Sequence, residues 1–194
     1  MTERGGLPLG SVVPERVVLA GAVAVLLYAL FTPLRLQRYA PWLAQLTLGA
    51  AAAATVPMLG GRQELTFFDT YATDDVALWA KLGMLAVSSL VVTLSAEWFR
   101  SDRRQGDYYA ILLFATLGAI LLAGAADLME LVLAVLLSSA TGYVLAAYHR
   151  AEPRAAEAGI KYFLLGALTN SSMLYGVVLL FGLAGSTTLL ELSV

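Results

Sequence analysis

The sequence predicts an all-α membrane protein of about six transmembrane helices, and three observations carry that reading. Of its 194 residues, 59% are hydrophobic and only 13% charged, whereas a soluble domain carries about 25% charged residues. The apolar runs are each close to the roughly 20 residues that take a helix across a bilayer. None shows the period-two alternation of a membrane barrel, which leaves the helix as the backbone form that satisfies its own hydrogen bonds in lipid.

The elements follow in order. Residues 1–16, "MTERGGLPLGSVVPER", form a polar N-terminal segment, too long ahead of the first apolar run for a cleaved signal peptide. Residues 17–194 then read as one transmembrane domain. Pro14 precedes the first span, about 17–34; Pro33 and Pro41 bracket the turn into the second, about 42–60, which Gly60-Gly61 ends. That second span, "LTLGAAAAATVPML", is rich in small residues that let backbones approach closely, so it is expected to pack against another helix. The third span is placed at about 76–96, the fourth at 108–125 and the fifth at 128–148. The "GAAD" between the fourth and fifth demands a tight antiparallel hairpin. The sixth span is placed at about 161–183, and no internal repeat is visible.

Basic residues set the expected orientation. Arg35 and Arg38 lie in the first loop, Arg100, Arg103 and Arg104 in the third, and Arg150 and Arg154 in the fifth. The second loop has only Arg62 among acids, and the fourth has no basic residue. Odd loops are therefore expected in the cytoplasm and both termini outside, with Arg4 and Arg16 offset by their neighbours Glu3 and Glu15. The absence of cysteine excludes thiolate metal and iron-sulfur sites, and a single histidine, His149, excludes a multi-histidine centre. A net charge of -2 with scattered basic residues gives no reason to expect nucleic acid.

An ionisable residue inside a span is costly and calls for an explanation. Lys81, a turn inside the third span in "ALWAKLGML", reads either as a lysine reaching the interface beside Trp79 or as a buried lysine paired to a carboxylate. Asp127 and Glu130 open the fifth helix with capping-box spacing; a proton-loading role for Glu130 requires depth or a water cavity. Ser138, Ser139 and Thr141 form a polar patch in mid-helix, fit either to bond neighbouring carbonyls or to line a hydrated path. Tyr143 and Tyr148 continue toward the end where interfacial aromatics belong. Arg154, Glu157 and Lys161 have helical spacings, with Glu157 one turn ahead of Lys161. Lys161 reads as an interfacial anchor or as part of a charge relay.

Two stretches point further. From about residue 67 to 185, the chain resembles the antiporter-like subunit N of proton-pumping NADH-quinone oxidoreductase, respiratory complex I. "DYYAILLFATLGAILLAGAADLMELVLAVLLSSATGYVLAAYHR" looks like that family's fourth and fifth helices, and "EAGIKYFLLGALTNSSMLYGVVLLFGLAG" like its sixth. The signature E-A-x-x-K-Y-F-L-L-G-A is matched at Glu157, Ala158, Lys161, Tyr162, Phe163, Leu164, Leu165, Gly166 and Ala167.

The resemblance implies the N-terminal part, the first six helices, of a larger bundle in which inverted repeats carry proton half-channels. It implies partners among the other membrane-arm subunits and leaves room for a second chain supplying the remaining helices. NADH, FMN, iron-sulfur clusters and quinone are then expected in partner subunits, with no cofactor in this chain. By the same analogy Lys161 is a charged member of the intramembrane relay, coupled to a carboxylate on the fifth helix, with Glu157 its neighbour. Aligning Ser139 and Tyr143, however, puts Leu136 where the family carries that glutamate and Thr141 where it carries proline. Glu130 lies more than a turn away and well round the axis. The family's lysines on later helices fall beyond the matched segment. The expected role is thus a membrane-arm subunit with a structural or partial part in proton translocation, in a bacterial inner membrane. The alternative is a non-pumping scaffold or assembly protein of the same descent.

Overall fold

The computed structural model describes residues 10–34, 36–60, 64–66, 70–99, 104–149 and 152–192. The expectations placed on residues 1–9 and on Arg35, Arg62, Arg100, Arg103 and Arg150 lie outside the described residues. Within them the helices are α1 (Val13–Phe31), α2 (Ala40–Thr55), α3 (Asp75–Trp98), α4 (Gln105–Gly124), α5 (Leu128–Ala146), α6 (Pro153–Ala184) and the short α7 (Leu189–Leu192). Two three-residue strands, β1 (Glu64–Thr66) and β2 (Tyr71–Thr73), pair antiparallel with Glu64 opposite Thr73. Among the described residues five helices, α1, α3, α4, α5 and α6, are long and apolar enough to cross a membrane. The expected second span differs. Pro57, which has no N–H to donate, sits where the α-helix hands over to a 3-10 turn at Val56–Met58, so α2 has only 16 residues.

Helix starts also shift from the sequence expectation, and proline is the reason. Pro14 and Pro153 stand in the first turns of α1 and α6, where a missing N–H costs nothing and the fixed φ suits the helix. The first helix therefore begins before residue 17 and takes Glu15 into its opening turn. The sixth begins well before residue 161, so Glu157 and Lys161 ride on an established helix rather than at its mouth. Asp74 caps α3 by accepting from the Ala77 N–H at 2.9 Å, and Asp127 caps α5 through the Met129 N–H at 2.7 Å. Gly185, with φ of 69°, ends α6 in the left-handed conformation that glycine adopts without strain.

The core lies between α1, α2, α3 and α4, with α4 in the middle. Its contact residues are small where backbones meet: Ala22 on α1, Ala40, Ala44 and Ala51 on α2, and Ala110 on α4 are buried, together with Leu48, Leu85 and Leu113. Lipid supplies no hydrophobic drive between helices, so close packing of this kind is what binds them. The α4–α5 hairpin is tighter still. A Cβ placed on Gly118 would lie 2.7 Å from the backbone nitrogen of Ser138, so only glycine fits there. By contrast α6 packs chiefly on α5 and buries one residue, Gly159, along its whole length.

The bundle has two unlike ends. At the hairpin end, where α1, α3 and α5 begin, three extended segments are laced by backbone bonds. The Ala126 N–H donates to the Thr70 carbonyl at 2.9 Å, the Leu128 N–H to Thr187 at 2.9 Å, and the Leu189 N–H to Ala126 at 3.0 Å. They form a cover over the helix starts. At the arginine end, where α4 and α6 begin, Phe99, Tyr108, Tyr109, Tyr148 and His149 stack in one aromatic cluster, and the Tyr148 hydroxyl donates to the Arg104 carbonyl at 2.6 Å.

Candidate functional site

Beneath the cover at the hairpin end sits a cluster of ionisable side chains. Lys81 projects from the second turn of α3 and is 0% exposed; Glu15, in the first turn of α1, is 4% exposed. Lys81 Nζ lies 2.9 Å from Glu15 Oε1 and 4.5 Å from the centroid of the Tyr71 ring. The Tyr71 hydroxyl, from β2, donates to the same Glu15 oxygen. Of the two readings of Lys81, the position inside the bundle is therefore the observed one. Trp79, two residues earlier, faces outward at 65% exposure.

Each member needs the others. A lone ammonium or carboxylate stripped of water is worth several kcal/mol of penalty, which an opposite charge in contact largely offsets. The tyrosine face adds attraction to the cation. Burial first, and then the Glu15 carboxylate, push the Tyr71 phenol well above its ordinary range, so it stays a neutral donor. The Lys81–Glu15 contact is electrostatic rather than an aligned hydrogen bond, and Glu15 Oε2 is buried with no hydrogen-bond partner among the described residues.

Glu130 joins the cluster from α5. It is half-buried and within electrostatic reach of Asp127, Lys81 and Glu15. Asp127 does the capping of α5, while Glu130 is a further carboxylate within electrostatic reach of the lysine. Charged and polar groups from α1, α3, α5 and β2 thus gather at one end of the bundle.

The remaining sequence candidates lie elsewhere. Lys161 and Glu157 pair with each other on α6 near the arginine end, with side chains 69% and 63% exposed. The Thr141 hydroxyl donates to Leu137 and Ser138 carbonyls of its own helix, each at 2.9 Å, which is back-bonding within α5. Ser138 and Ser139 are half-buried, and the backbone of Ser138 is the surface that Gly118 abuts. Tyr143 accepts from Asn170 Nδ2 at 3.2 Å and meets the rings of Tyr162 and Phe163, so it joins α5 to α6. Leu136 is half-buried on α5. The structure thus puts Glu130 within electrostatic reach of Lys81 and keeps Lys161 and Glu157 apart from them.

Sequence reasoning passed over Glu15 and Tyr71. In the sequence Glu15 reads only as an offset to Arg16. Its signal was present: "PER" opens an apolar run, so its carboxylate enters the same end of the bundle as Lys81. Tyr71 carried no signal, because its place depends on a hairpin too short to read.

With this geometry in hand, the likenesses to known proteins fall into place. Residues 125–194 match the family model described as NADH:quinone oxidoreductase/Mrp antiporter, TM. A curated relative, NADH-quinone oxidoreductase subunit N of Trichlorobacter lovleyi, is 34% identical over 95% of this chain and 38% of its own length. Subunit N of Sphingopyxis alaskensis is 36% identical over 90% of this chain and 36% of its own. In the solved structure of respiratory complex I from Thermus thermophilus with bound aureothin, one chain superposes with a TM-score of 0.76 and 28% identity, over 91% of this chain and 38% of that one. The chain spans somewhat more than a third of the length of these relatives.

Proposed function

From a chain that is a homologue of part of NADH-quinone oxidoreductase subunit N, we propose a membrane-arm subunit of a complex I-like respiratory enzyme that contributes to proton translocation. The observation that carries this reading is the Lys81–Glu15 pair, closed off from solvent inside a bundle of that ancestry. A buried ammonium and carboxylate change their proton affinities when a neighbouring charge changes. Lys81 is the cationic member, Glu15 the proton acceptor through Oε2, Tyr71 the donor that orients the carboxylate, and Glu130 the second carboxylate through which charge on α5 is felt. Lys161 with Glu157 forms a second charge site, which works only when another membrane helix covers α6. NADH, FMN, iron-sulfur clusters and quinone belong, on this reading, to other subunits. On this reading the end that bears Arg104 and Arg154 faces the cytoplasm of a bacterial inner membrane, with both termini outside.

One observation favours the alternative, a scaffold without pumping chemistry: Leu136 occupies the α5 position where the resemblance expects a glutamate. The triple variant Lys81→Met/Glu15→Leu/Tyr71→Phe separates the two, because apolar side chains of similar volume can replace a buried ion pair without loss of stability, and Tyr71→Phe takes away the phenol whose acceptor is lost. Proton uptake driven by the complex's electron donor is measured in sealed vesicles carrying the assembled complex. Reduced uptake with electron transfer and assembly intact supports the relay; undiminished uptake assigns the chain to the scaffold.

A further inference from the structure

The chain leaving α6 is tied to the buried charge cluster through the turn between α4 and α5. Gly185 ends α6 with φ of 69°, and the residues after it run antiparallel to that turn. Thr188 bridges Asp127, with the Leu128 N–H donating to the Thr187 carbonyl and the Leu189 N–H to the Ala126 carbonyl. Ser186 stiffens the segment from within. Its Oγ lies 3.0 Å from Thr188 Oγ1 and accepts from the Thr188 N–H at 3.3 Å.

On its other side the same turn holds β2. Tyr71 bridges Ala125, and the Ala126 N–H donates to the Thr70 carbonyl. With its N–H committed to one segment and its carbonyl to the other, Ala126 fixes where the two stand relative to each other. The ring of Tyr71 lies against the last residue of α4, since a Cβ on Gly124 would come 2.5 Å from Tyr71 Cζ. The turn therefore sets how far Tyr71 reaches into the bundle. At that depth its hydroxyl donates to Glu15 and its ring centroid lies 4.5 Å from Lys81 Nζ.

We propose that residues 186–189 form a strap that positions Tyr71 on the buried Lys81–Glu15 pair. Thr187 and Leu189 act through their backbone groups and Ser186 through its hydroxyl, all by way of the turn. Undoing the strap frees the turn, and a freed turn lets Tyr71 leave Glu15 and water reach Lys81. The exit of α6, a helix that otherwise packs chiefly on α5, is thereby coupled to a charge site between α1 and α3. The strap positions the pair whether or not the pair moves protons, and its test does not read pumping.

The chain has two lysines, Lys81 and Lys161. Lys81 is 0% exposed, so its acylation by a water-soluble succinimidyl ester reports opening of the cluster, while Lys161 reports reagent at the other end. The full chain is labelled in lipid nanodiscs with whatever accompanies it and read by mass spectrometry, beside deuterium exchange. Leu189→Pro deletes the N–H given to Ala126, and proline suits both the first residue of α7 and the extended Thr188 before it. It is expected to raise the rate at Lys81 about fivefold or more over the unaltered chain, the scale of one net hydrogen bond in a local opening. Exchange is expected to quicken at 70–73 as well as at 125–128. Leu189→Ala, which keeps the N–H, is expected to leave both unchanged. Quickened exchange confined to 187–192, with Lys81 still protected, overturns the proposal, as does an equal effect of Leu189→Ala. If Leu189→Pro unfolds the whole chain, Ser186→Ala decides: about a twofold rise at Lys81 is expected, and no rise overturns the strap.

Discussion

Two lysine–glutamate pairs, made of the same two side chains, occupy opposite ends of this molecule and obey different physics. Lys81–Glu15 joins α3 to α1, is sealed beneath the laced segments of the hairpin end, and has a phenol on its carboxylate. Lys161–Glu157 lies along one helix at the arginine end, one turn apart and mostly in the open. The first pair is costly to bury and costlier to break. The second gains only a few tenths of a kcal/mol from an i, i+4 contact. A lysine beside a glutamate is therefore no guide to function until depth and connectivity are known. The buried pair ties together helices distant in sequence, and the exposed one ties a helix to itself.

The largest test of this contrast is Lys81→Ala. It leaves Glu15 buried without a counter-charge and is expected to cost about 3–5 kcal/mol, seen as loss of the chain from the membrane or a steep fall in the thermal midpoint of the detergent-solubilised protein. The Lys81→Met/Glu15→Leu/Tyr71→Phe triple variant, which leaves neither charge nor phenol without its partner, is expected to recover most of that loss; a triple variant as unstable as the single would break the argument. Next comes Tyr71→Phe, which removes a hydrogen bond to an ionised carboxylate and is expected to cost about 1.5–3 kcal/mol, with faster hydrogen exchange in the amides that lace 125–128 to the hairpin and to 187–189. The smallest is Lys161→Ala, expected to shift the stability of the chain by about 0.5 kcal/mol or less. Raising salt should weaken the exposed pair's contribution and leave the buried pair's unchanged. A large effect of Lys161→Ala in the assembled complex would mean that a partner helix covers α6 and turns the exposed pair into a buried one.

The helical class and the presence of five long apolar helices were readable from apolar run length alone, since lipid imposes a length on any helix that crosses it. The tight α4–α5 hairpin was equally plain from "GAAD". The short α2 was harder, because Pro57 ends the α-helix without ending the apolar run. Lys81 could be singled out as costly, but its direction could not be chosen: a lysine one turn into a span reaches either water or a partner, and the partner stood on another helix. Glu15 hid in the opposite way. It looked like a polar residue before a helix, whereas Pro14 had already started the helix and carried the carboxylate inward. The β1–β2 pairing rests on strands of three residues, too short for any periodic pattern to show.

The span of chain between the members of the buried cluster bears on how the protein enters its membrane. Glu15 and Tyr71 are 56 residues apart, and Lys81 follows on the next helix. At roughly 5–20 residues per second of synthesis, the carboxylate emerges on the order of 3–10 s before the groups that neutralise it. During that interval α1 has an uncompensated charge at its leading turn, which favours holding it at the water interface or beside the insertion machinery. Its final depth is set only when the α3 lysine arrives. α1, made before α3, thus reaches its final depth only once α3 has arrived.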